Sequence, residues 1–209
     1  MRKTIVGAAA GLAILFTAAG VQAQGMEDVK ITASDLGKGI HMLVGRGGNI
    51  ELSAGPDGVF MVDDQFAPLT PKIVAAVRQI SKQPIRFVLN THWHFDHTGG
   101  NENLGKVGVA IVAHDNVRRL MSAEWYLNSF GREISAAPKA ALPIVNFSDG
   151  VTFYLNRETI KVLHAPNAHT SGDSIVHFGE ADVIHMGDTF FNGFYPLIVF
   201  QLGALLRAW

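Results

Sequence analysis

Between residues 92 and 97 the chain reads His92-Trp93-His94-Phe95-Asp96-His97, and Gly99-Gly100 lie just beyond. Imidazole and carboxylate are the donors zinc accepts when no thiolate is at hand, and the chain has no cysteine. In extended backbone, side chains two residues apart point the same way, so His92 and His94 can grip one ion together. A turn starting at Asp96 directs Asp96 and His97 toward a second ion, with Gly99-Gly100 expected to let the backbone fold back sharply. The alternative for the whole segment is a polar loop with solvent-exposed histidines.

Two later segments add donors. His169, in Ala168-His169-Thr170-Ser171-Gly172-Asp173, can supply from a distant loop the third ligand a zinc site needs. Asp188, in His185-Met186-Gly187-Asp188-Thr189, has two oxygens with which to bridge two cations. A structural turn is the plainer role for each. Asp63, ending an apolar run, either supports the motif loop from behind or caps it. Trp93 and Phe95 alternate with the ligands and are expected to pack beneath the site, or Trp93 to line the groove. His41, His177 and His185 fall within apolar runs and read as half-buried, hydrogen-bonded strand residues, whereas His114 and His164 keep either reading. No Gly-x-Ser-x-Gly elbow, phosphate-binding glycine loop with its Lys, or His-Glu-x-x-His helix competes with this metal chemistry.

These residues need a frame to hold them. Short apolar runs at 40–44, 50–53 and 59–63, broken by glycine pairs and Gly55-Pro56-Asp57-Gly58, read as a meander of strands after a polar lead-in over 24–39. Thr70-Pro71 opens a helix whose Ile73, Val74, Val77 and Ile80 share one face. A strand over 85–89 runs straight into the histidine motif, and another over 109–113 precedes a helix from Asp115 to about Asn128. After a Pro138- and Pro143-containing connection come strands over 151–155, 159–163, 175–178 and 183–186. That order predicts a layered α/β domain with the candidate ligands on loops at strand ends.

The 209 residues suffice for one domain with a sizeable core. A net charge of −1 without any Lys/Arg run argues against nucleic-acid or anionic-membrane partners. Arg2 and Lys3, an apolar stretch over 5–19 and Val21-Gln22-Ala23 read as a secretory signal peptide spanning residues 1–23, with an uncleaved anchor as the alternative. The mature domain, 24–209, is then expected in the periplasm or secreted, free of the membrane after cleavage.

The His92–His97 motif, with His169 and Asp188, resembles the metallo-β-lactamase superfamily over roughly residues 38–196. Gly48-Asn49, Val62-Asp63 and Leu89-Asn90-Thr91 add to the likeness. The resemblance implies an α/β (α+β) αββα sandwich and a zinc-dependent hydrolase with one or two Zn2+ per chain. It implies that His92, His94 and His169 hold the first zinc, that Asp96 and His97 hold the second, and that Asp188 bridges them. A metal-bound hydroxide then attacks a small-molecule carbonyl (ester, thioester, lactone or β-lactam), with Asp96 as the catalytic residue that orients it or passes a proton.

Departures from the family qualify the activity. True β-lactamases carry Cys or Ser where Asp188 stands, so the chain looks more like the thioesterase and lactonase branches. The family supplies a further, late histidine to the second zinc, and none follows His185. Residues 197–209 are an atypical apolar tail, so the C-terminal part of the sandwich is expected to be incomplete, as in a truncated or frame-shifted chain. The rival to an enzyme is accordingly a truncated zinc-binding remnant with little or no activity. A redox di-iron site on the same fold fits less well, because that branch replaces the second motif histidine by glutamate and His94 is present.

Overall fold

Strand-forming blocks bounded by glycine and proline build most of the architecture. The computed structural model describes residues 25–127, 132–193 and 195. Strands β1 (Thr32–Gly37), β2 (Ile40–Val44), β3 (Ile50–Gly55) and β4 (Gly58–Val62) form an antiparallel meander. Helix α1 (Thr70–Ile80), with proline in its first turn, then crosses to β5 (Ile85–Asn90), which lies parallel to β4. Two short helices follow, α2 (Phe95–Thr98) and α3 (Asn101–Gly105), before β6 (Ala110–His114) and α4 (Asp115–Met121). A small hairpin of β7 (Trp125–Leu127) and β8 (Arg132–Ile134) precedes β9 (Val145–Phe147). The chain continues through β10 (Gly150–Leu155), β11 (Glu158–His164), β12 (Ser174–Phe178) and β13 (Val183–His185).

One sheet has seven strands in the order β1-β2-β3-β4-β5-β6-β9, and the other is the antiparallel meander β10-β11-β12-β13. They face each other across a core in which Phe60, Val62, Leu89 and Val112 meet Ile160, Val162, Val176 and Phe178. On the outer face of the larger sheet, Ile73 and Val77 of α1 pack on Leu43, Leu52, Met61 and Val88. Strand β4 is therefore buried on both faces and reads as a continuous apolar run, as central strands with covered faces do. Beneath the histidine motif, Trp93 packs with Ala113, Val117 and Leu120.

The fold is the mixed α/β sandwich the sequence predicts, with corrections in detail. The lead-in holds a strand, β1, whose six residues are all exposed. The helix from Asp115 ends at Met121, because Trp125 and Tyr126 belong to the β7–β8 hairpin instead. The outward face of the smaller sheet is uncovered among the described residues, leaving Tyr154, Leu163 and Ile184 more than half exposed. The expected signal peptide and the whole of the 197–209 tail lie outside the described residues.

Candidate metal centre

The carboxyl ends of the parallel strands open toward one rim, the usual place for ligand sites in such sheets. His92, His94 and His97 follow β5, His169 lies on the β11–β12 loop, and Asp188 lies just after β13. Both sheets thus contribute donors. A reciprocal amide pair fixes the motif loop from below: Asn90 Nδ2 donates to Asn101 Oδ1 at 3.1 Å, and Asn101 Nδ2 donates back to Asn90 Oδ1 at 2.9 Å.

Three rings surround one point. His92 Nε2 and His169 Nε2 lie 3.1 and 3.0 Å from His94 Nδ1. The ring centroids of the three pairs are 4.7, 4.9 and 4.8 Å apart and the planes cross at 84°, 87° and 83°. Such near-threefold convergence is one face of a tetrahedral site. A second convergent group joins His92, His97 and Asp188. Asp188 faces both groups, with Oδ1 3.2 Å from His97 Nε2 and Oδ2 3.6 Å from His169 Nε2. Asp96 stands outside both groups, its Oδ2 3.7 Å from His97 Nε2, and its side chain is 31% exposed.

The electrostatics separate the rings. Burial, reinforced by neighbouring imidazoles, pushes His92 well below its ordinary range and His94 down to about 3, so both are neutral with free lone pairs at neutral pH. Burial alone would also lower His97, but the charge on Asp63 and contacts with Asp188 outweigh it and raise that ring. Asp63 accepts His97 Nδ1–H at 2.7 Å, the Thr91 N–H at 2.7 Å and the Thr91 hydroxyl at 2.8 Å. Burial would raise Asp63, yet His97 and His185 hold it well below the usual carboxylate range. With Nδ1 committed to Asp63, His97 turns Nε2 toward Asp188, and that buried nitrogen has no hydrogen-bond partner. A buried ring nitrogen aimed at a carboxylate, beside three converging rings, suits a divalent cation, and the donor set suits zinc.

Comparison with known proteins accords with this geometry. The family model for the metallo-beta-lactamase superfamily matches residues 46–208. The chain belongs to that superfamily. It is therefore placed among hydrolytic metalloenzymes, whose members bind metal ions, typically zinc. The matched span runs through nearly all of the apolar tail over 197–209, whose composition alone sets it apart from the family.

A hydroxyacylglutathione hydrolase of Gloeobacter violaceus is 28% identical over 145 residues, 65% of this chain and 49% of that protein. Its namesake in Pelagibacter ubique is 25% identical over 52% of this chain and 37% of that one. The chain spans half or less of the curated relatives it matches. Among solved structures, a metallo-beta-lactamase of Cronobacter sakazakii superposes with a TM-score of 0.66 at 19% identity, covering 81% of this chain and 66% of that one. A subclass B3 metallo-beta-lactamase of Bradyrhizobium japonicum gives 0.60 at 21% identity, over 75% and 60%. At these identities the structures share the superfamily fold with this chain.

Within that superfamily frame the structure refines several expectations. Gly99 and Gly100 make no sharp reversal; they are small because any Cβ would sit 2.6 Å from the Gln65 carbonyl oxygen or 2.9 Å from Asp64 Cγ. Phe95 does not pack beneath the site but is 47% exposed, because α2 starts there and breaks the strand-like alternation. Asp63 supports the motif loop rather than capping it. His114 and His164 stack on each other, 3.8 Å between centroids, away from the metal centre's ligand groups. His185 is buried rather than half-buried, and with Glu51, which no motif marks in the sequence, it lines a cleft of about 730 Å³ beside Asp96, His97 and Asp188.

Proposed function

We propose that the protein is an exported zinc hydrolase that cleaves a small-molecule carbonyl compound: an ester, thioester, lactone or β-lactam. The observation that carries this reading is the pair of convergent donor groups facing the two oxygens of Asp188. His92, His94 and His169 would hold one ion; His97, Asp188 and Asp96 would hold the other. When bound, zinc supplies Lewis acidity toward a carbonyl oxygen and lowers the pKa of water toward neutrality.

The chain's own residues do the rest. Burial keeps His92 and His94 unprotonated and ready to donate lone pairs. Asp63 fixes the His97 tautomer by accepting its Nδ1 proton. Asp96, partly exposed in the cleft, orients the attacking water and passes a proton toward the leaving group. Leu36, Met42 and Phe190 give the cleft apolar walls that limit competing water. Among carbonyl classes, the hydroxyacylglutathione hydrolase relatives favour a thioester.

The placement of Asp96 outside both convergent groups favours a second reading, a one-ion protein with little turnover. Elemental analysis of the purified chain, with a panel of thioester, lactone, ester and β-lactam substrates, separates the two. Two zincs per chain with turnover of any panel member supports the hydrolase, and one zinc without turnover selects the second reading. A chain without zinc overturns both. Export is tested by the N-terminus of periplasmic protein, which should begin at Gln24.

A further inference from the structure

Beside the metal centre lies a buried charge chain that the ligand assignment leaves unused. Glu51 sits on β3, opposite Met42 and Val62 in the register, on the face turned toward the smaller sheet. It is only 4% exposed, and its Oε1 is closed to water and has no hydrogen-bond partner. Its Oε2 lies 3.7 Å from His185 Nδ1, and His185 Nε2 lies 3.6 Å from Asp63 Oδ2. That same Asp63 oxygen accepts His97 Nδ1–H at 2.7 Å. Both His185 contacts are charge pairs, longer than hydrogen bonds.

We propose that Glu51 and His185 are positioning residues for the second cation site: the His185 ring, clamped between two carboxylates, holds Asp63 in place, and Asp63 aims His97. This inference rests on the two-ion reading above. Three features support it. Asp63 adopts a left-handed φ of 60°, a strained backbone for a non-glycine residue that surrounding contacts must hold. Burial would lower His185, yet Asp63 and Glu51 lift it to about 9, so it carries the positive charge that keeps both carboxylates paired. A lone buried glutamate on a strand otherwise facing a core is costly unless another charge meets it, and His185 is the one that does so here. Of the first ion's ligands only His92 touches this chain, indirectly, through the Thr91 hydroxyl that lies 3.1 Å from its Nδ1 and donates to Asp63, whereas His97 meets Asp63 directly, so the larger effect falls on the second site.

The test uses the full chain, stripped of metal and titrated with Co2+, following absorption and calorimetry. Replacing a group that orients a ligand costs about 10–100-fold in metal affinity. His185→Leu and Glu51→Ala should therefore weaken the second Co2+ by about that factor and leave the first within about 3-fold. His185→Gln, which keeps a donor for Asp63, should recover part of the loss. Wild-type second-ion affinity in both His185→Leu and Glu51→Ala overturns the proposal. So does an equal loss at both ions, or a His185→Gln no better than His185→Leu, since either marks a merely structural role. A wild-type chain that binds no Co2+ overturns the two-ion reading first and this inference with it.

Discussion

His92 and His94 are driven toward neutrality by burial among other imidazoles, while His97 and His185, themselves buried, are driven toward protonation by Asp63, Asp188 and Glu51. One carboxylate, Asp63, thus helps set apart the rings that hold a proton from those that keep a free lone pair. For stability the sign follows from His185, whose folded pKa of about 9 lies above its ordinary 6.5. Its contribution, about 3 kcal/mol, is fully present below pH 6.5 and is lost as pH rises to 9. Chelated wild type should therefore lose stability to urea between pH 6.5 and 9, and His185→Gln should lose less, the remainder coming from His97. A wild-type midpoint that stays flat over that range contradicts the charge chain. Asp188→Asn bears on the ligands themselves. A charge facing two cations is worth several kcal/mol, so this variant should drop to one zinc per chain and lose about 100-fold in hydrolysis rate. Elemental analysis and initial rates measure both effects.

At the scale of elements, the turn between β2 and β3 presses on the motif helix. A Cβ on Gly48 would sit 2.3 Å from His97 Cε1, closer than any real contact, and Asp63 prevents the ring from backing away. Gly48→Ala should weaken the second ion at least about 10-fold and spare the first, with about 1–3 kcal/mol of overpacking visible in the melting curve. A calorimetric metal titration decides it. Elements were legible where burial imposed a pattern. Strands β2, β4, β5 and β10 to β13 are apolar blocks between turn residues, and α1 carries a 3.6-residue stripe behind its proline. Strand β1 buries no side chain and left no pattern to read, and β9 is only three residues long. The ligand motif was legible because its donors lie close in sequence. Glu51 and His185 were not, since alternation along a strand groups residues by face without showing that the face meets another sheet.

At the scale of the molecule, the ligand sets tie together what the chain builds separately. His92, His94 and His97 ride on the larger sheet, whereas His169 and Asp188 ride on loops of the smaller one. At the rim the two halves meet through polar donors, with His169 4.9 and 4.8 Å from the His92 and His94 rings. Without a cation, three facing imidazoles and a carboxylate gain little from their closeness; with one, they become a cross-link between sheets. Binding to the folded state alone stabilises it by RT ln(1 + [L]/Kd), about 4 kcal/mol when free zinc is 1,000 times Kd. Chelation should therefore lower the melting temperature by about 8–16 °C, at roughly 2–4 °C for each kcal/mol lost in a chain of this size. It should also speed amide exchange selectively over residues 92–100, 165–173 and 187–193, while the sheet interface around Phe60 and Val176 stays protected. Uniform deprotection across both sheets would mean that the ions hold up the whole fold. No change in either observable would mean that the donors do not bind an ion in solution.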